Sequence, residues 1–258
     1  MKPTLLLLHG ALHTSGQFTL LSERLEPFFT VFTLDFSGHG KVAYEGELNM
    51  SVLVQDITKY IDKMDCETCH IFGYSMGGYA AVSYAKSQPK KLGSIITLGT
   101  KWDWSPASSA KEISMLDPDM MAEKIPSYVV KLQSLFGENN WVNVVRNTAN
   151  LMFDLGQGGA LTENDFRKME TEVLILRGSE DKMVSAESSV EVAGWLKNGS
   201  YKEIEGAPHP LEKVDVGVLA SEITRFCGKK GDLIVNLRNL YFFTYIPQIN
   251  IVNYAESL

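Results

Sequence analysis

Three cysteines in 258 residues are too few, and too unevenly spread, for a disulfide scaffold, so a reducing and cytoplasmic setting is expected. Clusters of Lys and Arg are missing. With 24 basic against 31 acidic residues the formal charge is −7, a poor match to nucleic acid or an anionic membrane surface. Nor does any apolar run approach the ~18–20 residues of a membrane span. The opening Met1-Lys2-Pro3-Thr4 with four leucines behind it suggests a secretory signal. That run is about half the ~7–15 residues an h-region needs, and no small-residue cleavage site follows. Repeats and low-complexity tracts are absent too. At 45% hydrophobic and 21% charged residues, the composition excludes wholesale disorder and collagen-like or coiled-coil structure. The length fits one large domain or two small ones.

What the chain does contain is alternation. Short apolar runs at residues 4–8, 31–35, 70–74, 94–98, 172–177 and 200–204 read as strands. Most are continuously apolar, as expected for parallel strands buried on both faces. Amphipathic stretches separate them. Ser51 reads as an N-cap, followed by Val54, Ile57, Ile61 and Met64 on one helical face. Residues 76–87 read as a helix ended by Pro89; Val190, Ala193 and Leu196 mark another helix, and Leu219, Ile223 and Phe226 a last one. Strand–helix–strand alternation implies right-handed crossovers and an α/β fold, a mostly parallel sheet with helices on both faces.

Two intervals break the rhythm. Residues 105–167 carry helix signals and no convincing strand, including an apolar stripe of Val129, Leu132 and Phe136 stopped by Gly137. A helical insertion of this size reads as a lid over the carboxyl edge of the sheet, placed before the penultimate strand and dividing the core into residues 1–104 and 168–228; ordinary crossover helices are the alternative. Residues 229–258 form an atypical C-terminal extension of strand-forming residues with few charges. Without the two strands that usually come first in such a sheet, the strand at 31–35 is expected to be a sheet edge. The extension would then supply one or two strands to an edge, within one subunit or by exchange in a homodimer. The alternative is an addition foreign to the fold.

Gly73-Tyr74-Ser75-Met76-Gly77 matches G-x-S-x-G, between an apolar strand and a small-residue helix. That is the setting of a nucleophile elbow, in which a sharp turn projects the serine hydroxyl beside a helix N-terminus. A serine hydroxyl needs a base. Of five histidines, His209 lies in Gly206-Ala207-Pro208-His209-Pro210 after the last strand, at the sheet edge where the carboxyl-end loops converge. His9, His13 and His39 share that edge and read as loop-shaping or pocket-lining; His70 sits at the other strand end. Asp181, directly after the strand at 172–177, is the leading candidate for the acid that orients the imidazole, with Asp103 and Glu180 as alternatives. The Ala11 and Met76 amides are placed to form an oxyanion hole, such donors being worth ~3–4 kcal/mol each. No histidine cluster has metal-site character and no cofactor is implied. Cys66-Glu67-Thr68-Cys69 precedes a strand instead of opening a helix, which argues against a redox motif. Trp102, Trp141 and Phe153 are candidates for an acyl pocket, with plain helix packing as the alternative.

Taken together, His9-Gly10, Asp35-Phe36-Ser37-Gly38-His39-Gly40, residues 73–77, and Asp181 with His209 make the chain resemble the α/β-hydrolase superfamily from Pro3 to about Cys227. The chain departs from that pattern at both ends, beginning at the strand usually counted third and carrying the extension. The resemblance implies a serine hydrolase with an acyl-enzyme intermediate, and the apolar lid region points to a small, largely apolar carboxylic ester. Relatives with Asp in place of Ser75 carry dehalogenase and epoxide-hydrolase chemistry, which this chain therefore disfavours. Thioester hydrolysis, carbon–carbon bond hydrolysis, cofactor-free perhydrolysis and a non-enzymatic or single-turnover receptor role stay open.

Overall fold

The structure, a computed structural model, describes residues 2–228. Within them β1 (Thr4–Leu8) leads through a short loop helix to α1 (Thr19–Leu25), and β2 (Thr30–Leu34) to α2 (Met50–Asp62). Next come β3 (Cys69–Tyr74), α3 (Met76–Ala85) and β4 (Leu92–Leu98). Five helices then intervene: α4 (Pro106–Ile113), α5 (Pro118–Lys124), α6 (Pro126–Phe136), α7 (Trp141–Asp154) and α8 (Glu163–Lys168). The chain returns to the sheet with β5 (Val173–Gly178), α9 (Ala186–Trp195), β6 (Gly199–Ile204) and α10 (Val216–Cys227).

All six strands are parallel, in the order β2-β1-β3-β4-β5-β6. The leucine run of β1 divides by parity, as a strand's alternating side chains require. Leu6 and Leu8 pack with α2, α3 and α9, whereas Leu5 and Leu7 pack with α1 and α10. Burial on both faces explains why that run is unbroken. Register brings the carboxyl ends level: Leu8 lies beside Gly73, Tyr74 beside Leu98, Leu98 beside Leu176 and Gly178 beside Ile204. The loops that follow therefore open on one edge of the sheet.

Several local expectations shift. Asn49, not Ser51, caps α2, accepting a 3.1 Å hydrogen bond from the Val52 amide. The inward stripe of α2 is accordingly Leu53, Ile57 and Ile61, with Val54 only half-buried. α3 stops at Ala85, two residues short of the expected end, and Gln88 before Pro89 takes φ 50°. α7 gives way to a wide π-type turn, Leu155–Gly159, where Gly158 at φ 99° breaks the helix. Among the described residues β2 is an edge strand, as expected from the sequence. The extension at 229–258, with its strand pairing and any homodimer built on it, lies outside the described residues. Among these, no helix is long and apolar enough to cross a membrane.

Candidate active site

Ser75 sits between β3 and α3 with φ 50° and ψ −113°, a conformation that costs a non-glycine residue about 1–3 kcal/mol. The surrounding structure holds it there. The Ser75 amide donates to the Leu98 carbonyl at 2.8 Å, and the Thr100 hydroxyl donates to the Ser75 carbonyl at 3.1 Å. A Cβ on Gly73 would collide with the Gly77 and Gly78 backbone, and one on Gly77 with the Leu8 carbonyl. The two flanking glycines are thus needed for close approach, which lets the strand-to-helix turn be this sharp.

His209 follows β6, and its Nδ1 lies 2.7 Å from Asp181 Oδ2. Asp181 is 4% exposed, and its other oxygen, Oδ1, accepts from the Met183 and Val184 amides at 2.8 and 3.1 Å. Burial works against ionisation of this carboxyl. The hydrogen bond and charge of His209, together with the two amides, outweigh it and hold the pKa below the ordinary carboxylate value. Of the alternatives, Asp103 pairs with Lys101 at 3.2 Å and Glu180 is exposed. With Nδ1 occupied by the carboxylate, Nε2 is the ring nitrogen without a partner among the described residues. One residue that sequence reasoning missed fixes this loop: Arg177 donates to the Asp181 carbonyl at 2.6 Å and to the Val184 carbonyl at 2.8 Å.

The loop after β1 is equally tied down. Buried His9 places Nδ1 2.8 Å from the Gly10 carbonyl, and its Nε2 accepts from the Phe36 amide at 3.2 Å. That arrangement assigns the ring as neutral with the proton on Nδ1. Burial, then the neighbouring His39, pushes its pKa well below the usual histidine value. Gln17 accepts from the Gly10 amide, and Asp35 accepts from the Ser15 amide at 2.5 Å. Leu12 takes φ 57° to complete the bend. Among the described residues, neither the Ala11 nor the Met76 amide has an acceptor within the chain.

Ala11, Ser75, Met76 and His209 all line one cavity of about 540 Å³, counting its open mouth. Its walls are mostly apolar, built by Met50, Tyr79, Trp104, Leu151, Met152 and Leu155. Lys101 and Glu112 make one polar side, and Met183 and Val184 come from the Asp181 loop. Trp102, Trp141 and Phe153, the expected pocket residues, line none of it. Trp102 stands one layer behind, its ring 5.7 Å from that of Tyr79. Trp141 belongs to the core of the insertion, with Leu12, Met121 and Val145. Phe153 is 54% exposed. Leu151, Met152 and Leu155 share one face of the turn that ends α7, and 153 points away from it. Trp104 and Met152 come from the aromatic- and methionine-rich stretch that the sequence offers for such a pocket, and Tyr79 lies one helical turn beyond Ser75.

Other expected chemistry is placed elsewhere. His39 and His70 are part of local packing, His39 1% exposed and His70 bonded through Nδ1 to Ser94 at 2.8 Å. All three cysteines are free, and burial pushes the Cys69 and Cys227 thiols up to about 12. Among the described residues, no group of three or more His, Cys, Asp or Glu side chains is arranged to hold a metal.

A parallel sheet flanked by helices, with an elbow serine and a His–Asp pair facing one cavity at its carboxyl edge, defines an α/β hydrolase. Residues 1–213 match the Hydrolase_4 family, described as serine aminopeptidase, S33, and the chain belongs to that family. It is 24% identical over 170 residues to sn-1-specific diacylglycerol lipase ABHD11 of Xenopus laevis, covering 65% of this chain and 49% of that protein. Identity to 2-hydroxy-6-oxononadienedioate/2-hydroxy-6-oxononatrienedioate hydrolase 1 of Pseudomonas putida is 29% over 108 residues, 38% of this chain and 36% of that one. The chain thus spans about half the length, or less, of these curated relatives. Among solved structures, the enol-lactonase from Burkholderia xenovorans LB400 superposes with a TM-score of 0.70 at 16% identity, covering 89% of this chain and 92% of its own.

Proposed function

We propose that the protein is a serine carboxylesterase acting on a small, largely apolar ester, with Ser75 as nucleophile, His209 as base and Asp181 as its orienting acid. The observation that carries this reading is the convergence of the strained Ser75 turn and the Asp181–His209 pair on one apolar cavity. Ser75 Oγ attacks the ester carbonyl while His209 Nε2 takes its proton. The tetrahedral oxyanion is held by the Ala11 and Met76 amides. His209 then returns the proton to the departing alkoxide, leaving an acyl-Ser75 ester and a free alcohol. Water, deprotonated by His209, attacks the acyl-enzyme and releases a carboxylic acid and the regenerated serine. The insertion between β4 and β5 serves as a lid, since Glu112, Leu151, Met152 and Leu155 contribute cavity wall.

Carbon–carbon bond hydrolysis is the second reading, favoured by the similarity to the Pseudomonas putida hydrolase. It would use the same groups on a ketone in place of an ester. A fluorophosphonate probe tests the nucleophile: labelling should map to Ser75 alone. Ser75→Ala should lose about 10³–10⁶ of the kcat on short-chain esters. Multiple turnovers by the wild type would also exclude a receptor role. Labelling elsewhere, or full activity without the hydroxyl, would overturn the assignment.

A further inference from the structure

A second cavity adjoins the first, sharing Lys101, Glu112, Met183 and Val184 with it and adding Asp103, Lys111, Met115, Lys182 and Ser185. It forms a vestibule whose two sides come from different parts of the chain. Lys111 and Met115 belong to α4 and the turn after it, whereas Lys182 and Met183 belong to the loop that carries Asp181. The charges within it are not balanced. Lys101 is the shared partner of both acids, 3.2 Å from Asp103 and 3.7 Å from Glu112. Glu112 is 8% exposed, and with three lysines against two acids the lining as a whole is one charge positive. Lys111 and Lys182 are exposed and, among the described residues, take part in no ion pair. Two free ammonium groups therefore border one concavity on a chain whose overall charge is −7. Beside them Met115 and Met183 are 51% and 48% exposed, an adaptable apolar surface next to the cations.

We propose that the vestibule binds an anionic group of the substrate, a carboxylate or a phosphate, with Lys111 and Lys182 as the specificity-determining residues. The substrate is then an amphipathic ester, its apolar part in the chamber beside Ser75 and its anion at the mouth. This rests on the esterase reading for the bond that is cleaved, but not for the anion site. An anion there bridges α4 to the loop after β5, so binding it also ties the insertion to the sheet side. Ammonium groups act here as point charges, which tolerate either anion, and their contribution is screened by salt.

Matched substrates test the proposal. Monoethyl suberate against ethyl octanoate places a carboxylate on the acyl side; monooctanoylglycerol 3-phosphate against monooctanoylglycerol places a phosphate on the leaving side. In at least one pair, the wild type should favour the anion in kcat/KM. The Lys111→Gln/Lys182→Gln double variant should lower that anionic-to-neutral ratio about five- to tenfold, as should raising salt from 0.05 to 0.5 M. Lys59→Gln on α2, which lines neither cavity, should keep the ratio. The pair that responds identifies the source of the anion. An unchanged ratio in both pairs overturns the proposal. Calorimetry with Ser75→Ala keeps the two readings apart, comparing suberate with octanamide and octyl phosphate with octanol. If no ester is turned over, the esterase reading falls. Lysine-dependent preference for either anion in calorimetry would still support the vestibule, and equal affinity for anionic and neutral ligands would overturn it.

Discussion

On the sheet side of the cavity, each group is fixed through backbone. Ser75 is held by Leu98 and Thr100, Asp181 by the Met183 and Val184 amides and by Arg177, and the loop bearing Ala11 by His9, Gln17 and Asp35. On the insertion side the wall is side-chain surface: Leu151, Met152 and Leu155 contribute only because of the phase of one helix end. The insertion has a core of its own, with Leu132, Phe136, Trp141, Val144 and Val145 buried and Leu12 as the sheet side's contribution. On the proposed reading, backbone-held groups define where bonds break, and a helical face defines what fits beside them. The two sides should therefore fail differently under mutation, the first in rate and the second in selectivity.

The largest effect belongs to the sheet side. Asp181→Asn keeps the volume but replaces an acceptor of the His209 Nδ1–H by an amide that can present a donor, favouring the wrong imidazole tautomer. A loss of about 10³–10⁴ in kcat is expected. Asp103→Asn, which removes only a 3.2 Å pair with Lys101 whose Asp103 side chain is 46% exposed, should cost no more than about threefold. Steady-state kinetics on one short-chain ester compares the two. A reversed order would move the acid to the end of β4.

That contrast also separates what was legible in the sequence from what was not. The strands, the elbow glycines, Ser75, and the pairing of Asp181 with His209 could be read because each answers a local demand. Gly73 and Gly77 are required by close approach, and His209 by its place after a carboxyl-end strand. Cavity walls answer no local rule. Trp102, Trp141 and Phe153 are large and apolar, as pocket residues usually are, but pocket and core differ only in which way a helix is turned. Phe153 follows Met152 directly, yet the helix puts the two on different faces. Arg177 was invisible for another reason: its partners are carbonyls of a loop, and a loop's shape has no periodicity to read. The cap of α2 illustrates a smaller ambiguity, with Asn49 and Ser51 both suitable and only the helix start deciding.

The insertion side should show a middle-sized effect, and a divided one. Leu151→Ala and Leu155→Ala enlarge the chamber and should move the preferred acyl length by one to three carbons, shifting relative kcat/KM about fourfold per carbon at ~0.8 kcal/mol per methylene. Trp141→Ala should instead cost about 3–5 kcal/mol of stability with the chain-length profile unmoved, since its ring fills the insertion's own core. Phe153→Ala, at an exposed position, should change neither beyond about 0.5 kcal/mol. Chain-length profiles and denaturant melts on the same three classes of variant test the division. A selectivity change at Trp141 would mean that the insertion's core and the chamber wall are one packing unit.

The smallest effect concerns acid, and it tests whether the sheet side owes its rigidity to a neutral histidine. His9 is buried between the Gly10 carbonyl and the Phe36 amide, with His39 5.0 Å away and His13 also nearby. In the unfolded chain a histidine titrates near ~6.5. In the folded protein burial and the His39 charge keep His9 neutral far below that. Above ~6.5 both states are neutral at this position and it adds no pH dependence. Between that value and the lower folded pKa the unfolded chain binds the extra proton, so stability falls as pH falls, by up to about 1.4 kcal/mol per pH unit for one proton. His13, His39 and His70, also lowered chiefly by burial, act in the same direction. Asp181 acts in a different window. Its depressed pKa gives stability that is complete above ~3.9, the unfolded carboxylate value, and is lost only as pH drops through the lower folded value. Melting temperature between pH 7.5 and 5 therefore reports on histidines and not on this carboxylate. His9→Gln supplies one amide donor for Gly10 and one acceptor for Phe36 without a titrating proton. It should melt lower than the wild type at pH 7.5, because its fit is imperfect, and lose less on acidification, so that the two curves approach each other toward pH 5. Parallel curves would assign the acid sensitivity to His13, His39 and His70 instead.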